Sequence, residues 1–92
     1  MSAKYKIAET DNFSKKLKHR DYIKLASKIE NFVYPQLKEN PFYGKNIKKL
    51  KGKYNKVYRY RIGIFRLFYT IDNDKILIIF IDIEKRKDSY KD

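Results

Sequence analysis

Three arginines lie within one segment of strand-forming residues, VYRYRIGIFRLFYT at positions 57–70. Gly63-Ile64 divides this segment into two runs, and glycine at the first position suits a two-residue type II′ hairpin turn. The register fixed by this turn places the second arginine directly opposite the third. Because strand side chains alternate between the two faces, all three share one face of the hairpin. They are Arg59, Arg61 and Arg66.

Like charges that face each other across a strand pair destabilise the pair, so this arrangement predicts an anionic partner. A guanidinium group is planar and can hold two oxygens of one phosphate at once. The alternative is a solvated face, on which the long basic side chains cover apolar surface.

The charge of the whole chain favours the anion-binding interpretation. The 92 residues carry a formal net charge of +12, and positions 41–66 hold nine basic residues and no acidic one. Such a concentration is typical of a nucleic-acid-binding protein, or of a surface that meets an acidic protein. Residues 41–56 read as a mobile basic loop, in which Tyr43, Ile47 and Leu50 permit one helical turn; its lysines alternatively serve solubility.

Composition also limits the chemistry. The chain has no cysteine and one histidine, His19, so it offers no disulfide, no thiolate and no histidine metal site. His19 falls between two predicted helices and is predicted to be a surface residue. No apolar run approaches the roughly 20 residues that span a bilayer. We therefore predict a cytoplasmic protein with no cofactor, no metal and no membrane partner.

The elements around the hairpin predict a small α+β domain. Tyr5–Glu9 reads as a strand, and a short helix follows one of the N-cap residues at 10–12. A second helix begins after Asp21, and Pro35 predicts a kink or an early end near Val33. Residues 76–83 form the most apolar run and predict a strand inside the sheet. The predicted fold is a single domain over residues 1–92: strand, helix, helix, then a three-strand antiparallel meander, with both helices on one face of the sheet.

This order, together with motifs in the carboxyl half, resembles the RelE/ParE superfamily of bacterial toxins. The matching motifs are KLKG at 49–52, YRYRIG at 58–63, FRLFY at 65–69, and Lys85-Arg86 through Tyr90. RelE-like members are ribosome-dependent endoribonucleases that cut messenger RNA without a metal, whereas ParE-like members poison DNA gyrase. Members of both kinds are neutralised by a co-encoded antitoxin.

The resemblance implies a toxin of a type II toxin–antitoxin system that cuts mRNA on the ribosome. Its partners would be the ribosome, mRNA and a co-encoded antitoxin. The catalytic residues implied are Arg59, Arg61, Arg66, Arg86 and Tyr90. The lysines expected to bind RNA are Lys45, Lys48, Lys49, Lys51, Lys53, Lys56, Lys85 and Lys87. The alternative is a ParE-like gyrase inhibitor, or a degenerate toxin that only binds its antitoxin.

Cleavage of RNA without a metal requires a base for the 2′-hydroxyl, charge neutralisation on the phosphate and a proton for the leaving oxygen. Arg59 and Arg66 suit the second task, and we expect the Arg66 side chain to be exposed. By resemblance, Arg86 is the leaving-group acid and Tyr90 stacks on a base. Where relatives use a lysine base the chain has Arg61, which cannot lose its proton near neutrality. A base among Lys49, Lys51 and Lys85, or catalysis by orientation and charge alone, both stay open.

Overall fold

The computed structural model describes residues 4–54 and 56–85, which form one mixed sheet with helices on one side. Strand β1 is Lys6–Glu9, and helix α1 is Asp11–Leu17. The second helix, α2, is built from four consecutive pieces: Ile23–Leu25, Ala26–Lys28, Ile29–Val33 and Tyr34–Glu39. The other strands are β2 Ile47–Lys49, β3 Tyr58–Ile62, β4 Phe65–Asp72 and β5 Leu77–Lys85.

The predicted α+β class is confirmed, and the sheet contains one strand more than predicted. Its order is β1-β5-β4-β3-β2, with β1 parallel to β5 and the other neighbours antiparallel. The interior position predicted for the last strand is confirmed, since β5 lies between β1 and β4. The interpretation of residues 41–56 as a loop is wrong at 47–49, because these residues pair with β3.

The second helix continues through Pro35, so the predicted early end near Val33 is wrong. Residues Ile29–Val33 adopt a π-helical turn, in which the amide of Tyr34 bonds to the carbonyl of Ile29. Pro35 then occupies the first turn of the following α-helical piece, where its missing N–H costs little. The irregularity predicted at Pro35 is therefore this π turn, and the helix ends at Glu39.

One face of the sheet packs against the helices and forms the core. The fully or almost fully buried side chains come from both layers: Phe13, Leu25, Ile29, Val33, Leu37, Tyr60, Leu67, Tyr69, Ile78, Phe80 and Ile83. Two phenol groups tie the layers together. Tyr60 donates to Oε1 of Gln36 at 2.6 Å, and Tyr69 donates to the carbonyl of Pro41 at 2.8 Å.

Replacing Tyr69 with phenylalanine is expected to lower the free energy of unfolding by about 1–3 kcal/mol, because the buried carbonyl of Pro41 loses its donor. Burial raises the pKa of the Tyr69 phenol, and the nearby Tyr58 and Tyr60 raise it further. The neutral phenol is thus favoured in the folded state, and its contribution is present below about pH 10 and lost as the pH rises further. Urea denaturation at pH 7 and at pH 10.5 measures both effects.

The matched control is Tyr43→Phe, since Tyr43 is 80% exposed. This control should leave the free energy of unfolding unchanged to within about 0.5 kcal/mol. Equal stability of the Tyr69→Phe variant and the original protein at pH 7 would contradict a stabilising bond to Pro41.

Candidate functional site

The three hairpin arginines lie on the sheet face away from the helices, which we call the arginine face. The register is the predicted one: Arg61 is opposite Arg66, and Arg59 is opposite Phe68. Gly63 has a φ of +60°, a conformation that glycine adopts without strain, at the first position of the turn. The prediction that the arginines share a face is confirmed.

The three arginines differ in their exposure to solvent. Arg61 is exposed, whereas Arg59 and Arg66 are half-buried and their Nε atoms are shielded from solvent. The expectation that the Arg66 side chain is exposed is therefore wrong. A partly buried guanidinium interacts more strongly with an anion than one in bulk water, because water screens the charge less.

The unexpected strand β2 brings a fourth cation to the arginine face. Ile47 pairs with the buried Tyr60, so the next residue, Lys48, lies opposite Arg59 on the outer side. Like charges on neighbouring strands repel one another, as they do for Arg61 and Arg66. The clustering on β2, β3 and β4 thus makes a strong local attraction for an anion.

The other predicted RNA-binding lysines lie in several environments. Lys45, Lys51, Lys53 and Lys56 are exposed in the segments before and after β2. Lys49 pairs with Tyr58 and Lys85 pairs with Phe65, and both partners point towards the helices. By strand alternation, neither Lys49 nor Lys85 shares the arginine face. Arg86, Lys87 and Tyr90 lie outside the described residues.

Two carboxylates that the sequence pattern did not predict for this site extend the arginine face on strand β5. Glu84 lies opposite Arg66, and Asp82 lies opposite Phe68. The register shifts between Phe68 and Tyr69, so Ile81 is an extra residue in β5 and forms a β-bulge. The bulge moves both acidic residues to the side of the sheet that carries the arginines.

Helix α1 fixes the geometry of this bulge. The side chains of Thr10 and Asn12 donate to the carbonyl of Ile81 at 3.3 and 2.9 Å. Oδ1 of Asp82 accepts from Lys16 at 2.6 Å and from Asn12 at 3.2 Å. The hydrogen bond to Asp82 is the main reason that the pKa of Lys16 is raised. Asp82 therefore has a structural role, holding α1 against β5.

A cavity of about 340 Å³ lies beside the arginines. Its apolar wall comes from β4, β5 and the segment between β2 and β3, and Asp82 and Glu84 of β5 add two carboxylates to the lining. The full lining is Leu50, Tyr54, Val57, Phe68, Ile81, Asp82 and Glu84. Arginines, aromatic rings and a carboxylate thus meet on one face of the sheet.

The remaining sites are less informative. His19 is an exposed residue, as predicted, and its Nδ1 accepts a hydrogen bond from the Asp21 amide at 3.2 Å. In residues 4–54 and 56–85, no three His, Cys, Asp or Glu side chains group as a metal site. None of the helices in this part of the chain is long and apolar enough to cross a membrane.

Comparisons with known proteins identify the fold. A chain of the RelB–RelE antitoxin–toxin complex from Methanococcus jannaschii is 31% identical, with 88% of this chain and 92% of that chain covered and a TM-score of 0.56. A chain of the RelBE2 toxin–antitoxin complex from Mycobacterium tuberculosis is 24% identical, with 94% of this chain and 95% of that chain covered and a TM-score of 0.75. YafQ from Escherichia coli is 17% identical, with 91% of this chain and 96% of that chain covered and a TM-score of 0.67.

Sequence comparison assigns the family. No protein with curated annotation matches the sequence significantly. The model of the ParE toxin of the type II toxin–antitoxin system parDE matches residues 7–90, which is most of the chain. The chain therefore belongs to the ParE toxin family of type II toxin–antitoxin systems, within the RelE/ParE superfamily.

Proposed function

We propose that this toxin is a ribosome-dependent endoribonuclease that cuts mRNA without a metal and so stops translation. The observation that carries the proposal is the position of Arg59, Arg61 and Arg66 on one face of adjacent strands, two of them half-buried. Such a cluster suits a phosphate whose charge increases in the transition state. The ribosome would supply the remaining contacts and present the message.

In the proposed reaction the ribose 2′-oxygen attacks the adjacent phosphorus and the bond to the 5′-oxygen breaks. The products are a 2′,3′-cyclic phosphate and a free 5′-hydroxyl. Arg59 and Arg66 hold the equatorial phosphate oxygens, and Arg61 adds charge from the exposed side. By resemblance to the superfamily, Arg86 would protonate the leaving oxygen and Tyr90 would stack on a base.

The position of the strands bears on the base that removes the 2′-hydroxyl proton. Lys49 and Lys85 pair with residues that face the helices, which disfavours both as partners of the three arginines. Lys51 is exposed just beyond β2 and stays a candidate. Catalysis through orientation and phosphate electrostatics alone requires no lysine.

We further propose that a co-encoded antitoxin covers the arginine face in the resting cell. Two of the structurally similar proteins were solved as toxin–antitoxin complexes, from Mycobacterium tuberculosis and Methanococcus jannaschii. An acidic antitoxin segment on Arg59, Arg61 and Lys48 would compete directly with RNA for these cations.

The family assignment favours one other activity, inhibition of DNA gyrase. The matching family model is that of ParE toxins rather than of a ribonuclease. In that case the arginine face would bind a protein or DNA, and no phosphodiester bond would be cut. The same basic surface serves both activities, so an assay of the reaction has to decide between them.

The deciding experiment is primer extension on a defined message, translated in vitro with purified ribosomes. We expect breaks within codons when the protein and ribosomes are both present, and an intact message when either is omitted. Intact messages from a protein shown to be folded by circular dichroism and toxic in cells would contradict the proposal. Relaxation of plasmid DNA in those cells would then support the gyrase activity.

A further inference from the structure

The cations of the arginine face are poorly suited to remove the 2′-hydroxyl proton. The guanidinium groups of Arg59, Arg61 and Arg66 keep their own protons near neutrality. Lys48 lies on the same face, but an ammonium group must lose a proton before it can accept one. A carboxylate needs no such step, because carboxylates are deprotonated in neutral solution. The base of the proposed reaction is therefore best sought among the acidic residues of this face.

Strand β5 places two carboxylates on this side of the sheet, and they differ in their partners. Oδ1 of Asp82 accepts hydrogen bonds from Lys16 and Asn12, so Asp82 is committed to holding α1. No hydrogen bond or ion pair engages the Glu84 side chain within the part of the chain that the structure describes. The pKa of Lys16 is raised mainly by its hydrogen bond to Asp82 and least by the charge of Glu84. Glu84 is thus the carboxylate that can accept a proton from a substrate.

The position of Glu84 suits contact with the ribose of a bound nucleotide. Glu84 lies directly opposite Arg66 on the neighbouring strand β4, and the Cβ atoms of such a pair are about 4.5–5.5 Å apart. In RNA the 2′-hydroxyl is on the carbon next to the one that bears the phosphate. A phosphate held by Arg66 therefore brings this hydroxyl close to Glu84. The cavity of about 340 Å³ that Glu84 lines gives the ribose room beside the sheet.

The charges around Glu84 allow a carboxylate and a phosphate to lie side by side. The two anions repel each other, so neighbouring cations have to offset the repulsion. The negative charge of Asp82 is balanced by Lys16, with Nζ and Oδ1 2.6 Å apart. The arginine face thus keeps an excess of positive charge with Glu84 ionised. Its four cations come from three strands: Lys48, Arg59, Arg61 and Arg66.

We propose that Glu84 is the general base of the reaction and accepts the 2′-hydroxyl proton while Arg66 holds the phosphate. The 2′-oxygen forms its bond to phosphorus as the bond to the 5′-oxygen breaks. The leaving 5′-oxygen takes a proton from Arg86, as the resemblance implies, and the Glu84 carboxyl later returns its proton to water. The inference rests on the proposed ribonuclease activity and assigns the base to a carboxylate in place of a lysine such as Lys51.

The pH dependence of cleavage tests this inference, measured in single turnovers with the full-length protein in excess over ribosome-bound message. From about pH 6.5 to about pH 8.5 the rate should stay nearly constant, because a carboxylate base is ionised throughout. Glu84→Gln keeps the size of the side chain and removes the base, so the rate at neutral pH should fall by a factor of about 10² to 10⁴. The remaining rate should rise about tenfold per pH unit, because hydroxide then has to remove the proton.

Three further variants separate a base from a structural role. Glu84→Asp keeps a carboxylate on a shorter side chain and should give a lower rate with the same flat profile. Asp82→Asn removes the other carboxylate and should also keep the flat profile, although it loosens α1 and lowers the unfolding temperature. Glu30→Gln, at an exposed position on α2, is the matched control and should keep both the rate and the profile.

Several outcomes would overturn the inference. A rate that rises about tenfold per pH unit in the original protein would indicate a lysine base or no base. An unchanged rate in Glu84→Gln would exclude the side chain from the reaction. A lower rate with a flat profile in Glu84→Gln would make Glu84 a positioning residue for Arg66. Each of these results leaves the ribonuclease activity in place, whereas an intact message at every pH with the original protein would overturn the proposed function and the inference together.

Discussion

Replacing Arg66 with alanine is expected to lower the rate of message cleavage on the ribosome by about 100-fold or more. Loss of one preorganised transition-state donor typically costs a factor of about 10² to 10³. Arg66 lies next to Arg61 across the hairpin and opposite Glu84 on β5, so it is the central cation of the arginine face. Primer extension with single-round quantification measures the rate.

Because Arg66 is half-buried, alanine also removes packing, and the experiment must separate the two effects. Arg66→Met keeps an aliphatic stem of similar length without the charge, and it should lose the same activity with less effect on the thermal unfolding temperature. Arg66→Lys keeps the charge without the planar pair of donors. Its cleavage rate should lie between those of Arg66→Met and the original protein. Arg20→Ala, in an exposed turn after α1, is the matched control and should cleave normally.

Full cleavage by folded Arg66→Met would show that the Arg66 guanidinium is not needed for the reaction. A loss in Arg66→Ala alone, accompanied by a lower unfolding temperature, would make the residue structural. Both results would contradict the chemistry proposed for Arg66, and the second would in addition show that its side chain stabilises the fold.

The hairpin was predictable from sequence because every determinant of its register is local. Gly63 sets the turn, the turn sets the pairing, and alternation then assigns each side chain to a face. Strand β2 was not predictable in this way. It has three residues, and its hydrogen bonds come from β3, so its local sequence contains too little alternation to reveal it.

The acidic side of the site was missed because of the bulge at Ile81. Strict alternation from Ile78 and Phe80 would place Asp82 and Glu84 against the helices, where burial of a carboxylate is unfavourable. The extra residue shifts the alternation of side chains along β5 by one position, so Ile83 is buried and both acidic side chains point outward. The cost of burying two carboxylates was a signal in the sequence that such a change had to occur.

In helix α2 the local tendency of proline to interrupt a helix is balanced by tertiary packing. Proline removes one backbone donor, and the rule predicts an interruption there. Core contacts on both sides of the proline, at Ile29, Val33 and Leu37, favour continuing the helix. The π turn satisfies both requirements, which no pattern of propensities alone would have predicted.

Replacing Phe80 with alanine is expected to lower the free energy of unfolding by about 3–5 kcal/mol. The Phe80 ring lies on β5 just before the bulge and packs against Phe13, Tyr34 and Tyr69, with ring centroids 5.3, 5.0 and 5.2 Å away. Its removal leaves a cavity between α1, α2 and the sheet. Urea denaturation followed by circular dichroism measures the loss.

Phe32→Ala is the matched control, because Phe32 lies on α2 with 67% of its surface exposed and should change stability by less than about 1 kcal/mol. A similar small effect at Phe80 would contradict the packing described for the core. Small domains are stable by only about 5–15 kcal/mol, so Phe80→Ala should also reduce the folded fraction and with it the toxicity. It would do so with every arginine present, because the helix-side core positions β5 and hence the carboxylate beside Arg66.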